Sequence, residues 1–246
     1  AGDGYVLVND VGFNRVYLIN KDKAEIRHEW ELERGIGNDA ELIENSELLV
    51  SLIADDVSFS FGGYGGVVQL VNPDNSVKWS YIVATAFELG HHDVERLPNG
   101  NILVLIWEGR PLDEAQESFG YAYQDDVIYA EKLIEINPNT NEIVWQWSSW
   151  DHTIQDLNQD KPNFGTIAEH PQLIDLNYRD PLREADSFNG DIMHANGIAY
   201  DEEHDLVFMS VNFYSEVWVI DHNTTTEEAS GTAGDLVYRF GNPGAY

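Results

Sequence analysis

Two short segments of the 246-residue chain place histidine near a carboxylate or an amide at a spacing suited to acid–base chemistry. One contains His91, His92 and Asp93, and the other contains His194 and Asn196. Residues i and i+2 of a strand point to the same side, so each histidine can share a space with the Asp or Asn that follows it. Such a neighbour orients an imidazole and selects its tautomer. The spacing therefore predicts three catalytic histidines, with Asp93 and Asn196 as substrate-binding neighbours.

The two segments also occupy matching places in a repeat. Superposing Pro98 on Asp201 places His91 on His194, and the Asp and Asn that follow also coincide. An earlier unit carries Asn38 at the position of that Asp but lacks the histidine. Two units thus direct a histidine toward one common space, which indicates a shared site. The alternative is that each histidine is a hydrogen-bonded structural group.

Other catalytic chemistries lack their motifs. The chain has no cysteine, which excludes thiolate nucleophiles and cysteine-ligated metals. It contains no Gly-x-Ser-x-Gly, Gly-x-Gly-x-x-Gly or P-loop sequence. The histidine segments could offer nitrogen and oxygen ligands to a divalent cation, but no His-Glu-x-x-His motif supports such a site. We therefore predict no metal and no cofactor.

The rest of the chain is made of short apolar segments of strand length, separated by turns. Leu48–Leu52, Ile102–Trp107 and Leu206–Met209 are rich in β-branched and aromatic residues. The best helix candidate is Pro111–Gln116, and a surface position is expected for His28, His170, His204 and His222. The fold class is therefore predicted to be all-β.

The strands recur in a set order, which predicts a β-propeller. Four units each carry an apolar strand that ends in Asn or Asp, at Asn20, Asn72, Asn137 and Asp221. A turn and a strand with aromatic residues follow each ending. About four blades fit this order, with Trp30, Trp79 and Trp145 packed between neighbouring blades. A β-sandwich is the competing architecture and explains the repeated order less well.

The composition excludes several partners. The net charge is −31, from 44 acidic and 13 basic residues, and such a surface repels phosphate backbones, so nucleic acid is excluded. No apolar run approaches the roughly 18 residues that a membrane span requires. The acidity favours a surface adapted to high salt, as in a halophilic or marine setting, over a functional acidic patch.

Several strings in this order resemble the arylsulfotransferase (aryl-sulfate sulfotransferase) family. They are His91-His92-Asp93 with Leu97–Asn101, Val144–Trp147, Trp150–Asp156, His170–Asp175, Met193–Asn196, Ser215–His222 and Tyr238–Pro243. The resemblance covers most of the chain and is strongest from about residue 88 onward. It implies a six-bladed β-propeller that is exported to the periplasm or the cell exterior.

The resemblance also implies an activity. Members move a sulfuryl group from a phenolic sulfate ester to a phenol through a transiently sulfated histidine, without a nucleotide donor. Both partners would be small aryl molecules. On this reading His194 and the histidine of the 91–92 pair bind the sulfate and act as acid–base groups, consistent with general nucleophilic and electrostatic catalysis.

Two features depart from the family pattern. Asn212 stands where members commonly carry an arginine, so a neutral amide replaces a cation that grips sulfate. The nucleophilic histidine of the family lies beyond the Gly-Asn-Pro motif, and we expect residues 1–246 to be one partial propeller domain of a longer protein. Arg110 is then a candidate anion contact near the channel.

The insertion at about 151–191 is expected to cover the channel face or to form a solvated connector. The main alternative function is a propeller that binds or interacts without catalysis. A more distant alternative is a lyase or hydrolase that acts on acidic or sulfated polysaccharide.

Overall fold

Short apolar runs between turns containing Asn, Asp and Gly fold into antiparallel hairpins. The computed structural model describes residues 4–181 and 189–246. These residues form four antiparallel sheets, each a meander in which consecutive strands pair. The sheets are blades of a β-propeller, and the predicted all-β class is confirmed.

The strands follow the chain blade by blade. Blade one contains β1 (Tyr5–Asp10), β2 (Arg15–Asn20) and β3 (Glu25–Glu31). Blade two contains β4 (Ile36–Leu42), β5 (Leu48–Ile53), β6 (Gly66–Val71) and β7 (Val77–Ile82). Blade three contains β8 (Glu88–Arg96), β9 (Ile102–Pro111), β10 (Val127–Asn137) and β11 (Glu142–Ser148).

Blade four follows an intervening segment. That segment includes the two-residue parallel strands β12 (Thr153–Ile154) and β13 (Ile174–Asp175). Blade four contains β14 (Ala195–Asp201), β15 (Leu206–Val211), β16 (Glu216–Asp221) and β17 (Tyr238–Phe240). The helices are α1 (Leu112–Phe119) and α2 (Thr226–Ala229). No helix in the described parts of the chain is long and apolar enough to cross a membrane.

The first strands of blades two, three and four line the centre of the propeller. Strand β8 contacts both β4 and β14. Blade one has three strands, and its middle strand β2 ends in Asn20. The third strands of blades three and four end in the same way, β10 at Asn137 and β16 at Asp221. Strands β1 to β3 therefore correspond to the second, third and fourth strands of the other blades. The repeat predicted from these residues is therefore present.

Tryptophan side chains pack between neighbouring blades. Trp30 and Trp145 are buried, and Trp79 is 9% exposed. Trp79 Nε1 donates to Asn141 Oδ1 of blade three at 2.7 Å, and Trp145 Nε1 donates to Thr224 Oγ1 of blade four at 3.2 Å. The predicted placement between blades is confirmed. Each buried indole removes a large apolar surface from water, which stabilises the stacking of blades.

The described part of the 151–191 insertion is packed against blades three and four. His152 is fully buried, stacks on Trp147, and contacts Asp235 Oδ1 at 3.0 Å. Leu176 N donates to Ile154 O at 3.0 Å. The insertion therefore joins the core at His152–Gln155 and at Ile174 and Leu176, whereas residues 156–173 are exposed or half-buried, as expected of a solvated connector. Residues 182–188 of the insertion lie outside the described residues.

Three sequence expectations need correction. Helix α1 begins at Leu112, after Pro111, and ends before Gly120, whose φ of 71° terminates it in the left-handed conformation. Arg110, expected near the channel, lies on β9, which β8 separates from the centre of the propeller. His222 is mostly buried and joins Asp205 to Glu135 across the contact between blades four and three.

Candidate functional site

His91 lies in the core of the propeller at the start of blade three. Its ring stacks on Trp107, with ring centroids 3.8 Å apart. Its Nε2 lies 3.0 Å from Glu131 Oε2, and its Nδ1 lies 3.1 Å from His92 Nδ1. The side chains of His91 and Glu131 have no solvent exposure. The imidazole is therefore fixed on its face and at both nitrogens.

A bulge in β8 directs these side chains. Three residues, 91 to 93, face a single residue of β9 between the paired positions Gly90 and Val94. His92 takes a φ of 50°, and its backbone N donates to Gly63 O at 2.8 Å. The alternation of a regular strand is lost here, so His91 and Asp93 do not share a space as predicted.

Asp93 is used to join two blades. Its Oδ2 accepts a hydrogen bond from Ile198 N of blade four at 2.7 Å, and its Oδ1 accepts from Val94 N at 3.0 Å. Asn196 accepts from Ser210 Oγ at 2.9 Å within blade four. Neither side chain orients a catalytic histidine, which was the reason for selecting both.

Asp191 orients His194 instead. The Asp191 carboxylate contacts His194 Nδ1 through Oδ2 and accepts from His194 N through Oδ1 at 3.1 Å. The ring of His194 stacks on Phe213 with centroids 4.8 Å apart. The carboxylate thus binds both the ring and the backbone N–H of His194. These two contacts hold His194 in a left-handed conformation, with a φ of 51°.

The two histidine segments converge. The rings of His92 and His194 meet edge to face with centroids 5.0 Å apart. Glu131 Oε1 accepts from Ala195 N at 2.7 Å while its other oxygen contacts His91, so one buried carboxyl holds both segments. The structure therefore brings all three predicted histidines into one cluster.

The two histidine segments enter their blades through bulges of different size. A single extra residue, Asn196, interrupts β14, whereas three residues, 91 to 93, form the bulge of β8. Val94 and Gly197 are the first residues to pair after these bulges, which agrees with the superposition of His91 on His194.

In blade two, Ala40 is the first residue that pairs with β5 after the bulge of β4, just as Val94 is the first that pairs with β9 after the bulge of β8. The residue before Ala40 is Asp39. Asp39, and not Asn38, therefore corresponds to Asp93.

Sequence reasoning missed Glu131 and Asp191. Glu131 is a charged residue inside the apolar strand β10, which pairs with neighbours on both sides, and that is the signal by which it could have been found. Asp191 borders the described part of the insertion and carries no comparable pattern. It reaches the site because Gly190–Ile192 runs beside Tyr129 of β10.

Burial sets the charge of the cluster. Burial lowers the pKa of His91 to about 3, and burial with the neighbouring His91 and His194 lowers the pKa of His92 to about 3. Burial raises the pKa of Glu131 well above its ordinary value, and the nearby Asp191 charge adds to this. These shifts favour the uncharged forms of His91, His92 and Glu131.

The predicted cation is engaged elsewhere. Arg110 Nη1 contacts Glu114 Oε1 at 2.7 Å, and Nη2 contacts Glu108 Oε1 at 3.4 Å. No contact among the described residues joins Arg110 to the histidines. Asn212 is exposed, and its backbone N donates to His194 O at 3.2 Å, which places it beside the cluster.

One buried donor beside the cluster has no partner. Trp107 is fully buried, and its Nε1 makes no hydrogen bond to any described residue. Its ring lies with centroids 6.0 Å from His194 and 6.2 Å from His92. An unpaired buried N–H is costly, which is typical of an atom that serves a ligand.

Aromatic side chains lead from Trp107 to a nearby cavity. Phe59 packs on Tyr129 with centroids 4.0 Å apart, and Phe61 meets Trp107 edge to face at 5.1 Å. A cavity of about 580 Å³ borders Phe59, Phe61 and Tyr129 together with the carboxylates Asp125 and Asp126, and none of the three histidines lines it. Its aromatic part matches the face of a phenyl ring in size and polarity.

Carboxylates on the inner strands form an acidic strip, defined as Asp39, Glu41, Asp93 and Glu95. Burial, followed by the charges of its neighbours, raises the pKa of Asp39 to about 7 and that of Glu95 to about 7. Burial also raises the pKa of Asp93 and of Glu41. In the described residues, no three His, Asp or Glu side chains are arranged to hold a metal ion.

Sequence comparison identifies one family. The profile of the family described as arylsulfotransferase (ASST) matches residues 39–241, from β4 to the residue after β17. The matched range contains every histidine and carboxylate of the cluster. No curated protein matches the chain in sequence.

Structural comparison finds propeller-like proteins. A Bacteroides caccae protein of unknown function aligns with a TM-score of 0.52 and 15% identity over 98% of this chain and 59% of the other. Kuenenia stuttgartiensis hydrazine synthase aligns with a TM-score of 0.54 and 15% identity over 97% of this chain and 59% of the other. The chain thus spans about three fifths of the length of these structures, and the likeness concerns the fold alone.

Proposed function

The chain belongs to the arylsulfotransferase family, and on that premise we propose that the protein transfers a sulfuryl group from a phenolic sulfate ester to a phenol. Family membership supports a sulfotransferase-like function on small aryl molecules in general. The observation that carries the finer proposal is the meeting of His92 and His194, with centroids 5.0 Å apart, beside the aromatic rings of Trp107 and Phe61. No nucleotide donor takes part.

The ester is held by N–H donors. Its sulfuryl oxygens accept hydrogen bonds from His92, His194 and Trp107 Nε1, while the aryl ring packs on Phe59 and Phe61. Preorganised N–H groups in a buried site stabilise developing negative charge without the cost of reorganising water. Asn212 adds a neutral amide where the family has an arginine, so sulfate binding here rests on hydrogen bonds more than on charge.

The chemistry needs a proton for the departing phenolate. As a nucleophile bonds to sulfur, the bond from sulfur to the aryl oxygen breaks, and that oxygen takes a proton from a neutral imidazole. The nucleophilic histidine that the resemblance implies lies beyond the Gly-Asn-Pro motif. His92 and His194 therefore serve as donors and acid–base groups, with His91 and Asp191 behind them.

A binding module without catalysis is the second candidate. The presence of Asn212 and the engagement of Arg110 by two glutamates favour it, because both leave the cluster without a free cation among the described residues.

The proposal also places the protein outside the cytoplasm, in the periplasm or the medium, as the family suggests. A salt-adapted acidic surface agrees with this location.

The test is sulfuryl transfer by the full-length protein. With 4-nitrophenyl sulfate as donor and a phenol as acceptor, we expect nitrophenol release and a sulfated acceptor. His194→Ala should lower kcat/KM by about 10²-fold or more, because it removes a donor to the reacting group.

The matched control is His204→Ala. His204 also contacts an aspartate three residues before it, Asp201, but lies exposed on blade four, so its loss should leave transfer unchanged. Binding of the aryl sulfate without any turnover would establish the binding module and reject the transferase. Equal activity of His194→Ala and the parent would reject the assignment of this site.

A further inference from the structure

We propose that Glu131, His91 and His92 form a proton relay, in which the buried carboxyl stores the proton that His92 delivers to the leaving phenolate. The relay rests on the proposed function, since it assigns the source of the proton for that reaction. Neither Glu131 nor the order of the three groups along the relay is given by the sequence motifs.

Two hydrogen bonds link Glu131, His91 and His92 in that order, while the backbone of Ile106 also contacts the His91 ring. Glu131 Oε2 lies 3.0 Å from His91 Nε2, and His91 Nδ1 lies 3.1 Å from His92 Nδ1. The contact between two ring nitrogens requires one donor and one acceptor. The proton positions on the two rings are therefore coupled, and each choice on His91 dictates the choice on His92.

Only two arrangements without an imidazolium satisfy both bonds. In the acid form, Glu131 is protonated and donates to His91 Nε2, His91 Nδ1–H donates to His92 Nδ1, and His92 carries its proton on Nε2. In the base form, Glu131 is ionised, His91 carries its proton on Nε2, and His92 carries its own on Nδ1. The two forms differ by one proton and by no heavy-atom movement.

The transfer step balances without a further reactant. As the phenolate leaves, it takes the Nε2 proton of His92, the Nδ1 proton of His91 moves to His92, and the Oε2 proton of Glu131 moves to His91. In the second half-reaction the acceptor phenol gives its hydroxyl proton to His92 Nε2, and the same shifts restore protonated Glu131. No positive imidazolium forms at any stage.

The surroundings favour this order. Glu131 and His91 are closed to solvent, whereas His92 is half-buried, so His92 is the end of the relay that substrate can reach. Burial and the Asp191 charge raise the pKa of Glu131, and this direction favours the acid form. An imidazolium would be costly in this interior, which burial expresses as the lowered pKa of His91.

A purely structural role for Glu131 predicts different behaviour, and Glu131→Gln separates the two. The amide oxygen still accepts from Ala195 N, and the amide N–H still donates to His91 Nε2, so both contacts persist while the transferable proton is lost. The matched control is Glu135→Gln on the same strand, whose carboxylate contacts Asn99, Asn101 and His222 at a distance from the cluster.

The experiment measures kcat of the full-length protein over a series of aryl sulfates whose phenols differ in pKa. We expect Glu131→Gln to lose about 10²-fold with phenyl sulfate, which needs a proton, and less than about threefold with 4-nitrophenyl sulfate, which leaves without one. Glu135→Gln should show the parent's dependence on the leaving group. An equal loss with all donors, or no loss, would overturn the relay.

A second measurement holds even without turnover or if Glu131→Gln does not fold. Nitrogen-15 NMR of the wild-type protein at pH 7 reports which ring nitrogen carries a proton. We expect neutral His91 protonated on Nδ1 and neutral His92 protonated on Nε2. The opposite tautomers, or an imidazolium, would reject the relay. Absence of phenol release with the expected tautomers would reject the proposed function and leave the relay as a feature of the fold.

Discussion

At the scale of single residues, Trp107 connects the parts of the site. One face of its ring supports His91, its edge meets Phe61, and its indole N–H is buried with no partner among the described residues. A donor in that condition has lost its hydration without compensation, and a sulfuryl oxygen that accepts from it would restore the missing bond.

Trp107→Phe should therefore weaken binding of the ester. The phenyl ring keeps an aromatic face beneath His91 but offers no N–H, so we expect KM for aryl sulfate to rise about 3- to 10-fold, in line with the loss of one hydrogen bond. Steady-state kinetics of the full-length protein measure it.

Trp30→Phe is the control for Trp107→Phe. Trp30 is also buried with an unpaired Nε1, but it lies between blades one and two. Both variants lose the same atoms and should lose comparable stability through the cavity left behind. A similar KM in both variants would show that Trp107 does not bind the ester.

The sequence predicted which histidines come together but not which side chains hold them. His91, His92 and His194 stood out by their residue type and local order. Their true partners, Glu131 and Asp191, were out of reach because the i and i+2 rule assumes a regular strand, and bulges interrupt both strands here. Which carboxylate meets a ring depends on packing between blades, which no local spacing encodes.

At the scale of elements, the blades are defined by features that a sequence does show. Strand endings such as Asn137 and the tryptophans recur because every blade needs the same turn and the same apolar seal. The bulge that shapes the site is less visible, and it depends on a second element, the loop between β5 and β6. Gly63 of that loop accepts a hydrogen bond from His92 N and lies under the His92 ring.

Gly63→Ala should disturb His92 directly. Gly63 has a φ of 84°, and a Cβ there would lie 2.2 Å from His92 Cε1 and Nε2, so the ring must move and the backbone is strained. We expect kcat to fall at least about 10-fold, because a displaced acid no longer meets the leaving oxygen. Initial rates with phenyl sulfate, together with the NMR signals of His92, give the measurement.

Gly62→Ala serves as the neighbouring control. A Cβ at Gly62 would meet no atom within 4 Å, so rates and His92 signals should remain those of the parent. Unchanged rates in Gly63→Ala would mean that the position of the His92 ring does not limit transfer.

At the scale of the whole molecule, the net negative charge opposes the binding of the anionic substrate that the proposed function requires. The net charge of −31 repels an anionic ester, and the acidic strip carries the same sign into the channel. N–H donors and aromatic side chains can bind the ester without electrostatic attraction from the protein's net charge. The outer carboxylates then affect solubility and stability, and at 0.1 M salt their mutual repulsion is largely screened beyond about 10 Å.

The acidic strip makes stability depend on pH in a defined direction. The folded-state pKa values of Asp39 and Glu95, both about 7, exceed those of exposed carboxyls. A group with a raised pKa favours folding fully below its unfolded pKa near 4, and this contribution disappears as pH rises through about 7. The free energy of unfolding should therefore fall between pH 5 and pH 8, and added salt should reduce the fall.

Asp39→Asn isolates that contribution. The amide stays neutral at every pH, so we expect the variant to lose less stability than the parent between pH 5 and pH 8, by about 1–2 kcal/mol after allowance for partial exposure. Urea denaturation at both pH values, at low and at high salt, measures the difference. Asp22→Asn, on the exposed turn after β2, should follow the parent, since its carboxyl lies outside the strip. An identical fall in Asp39→Asn and the parent would place the pH dependence in the outer surface and not in the channel.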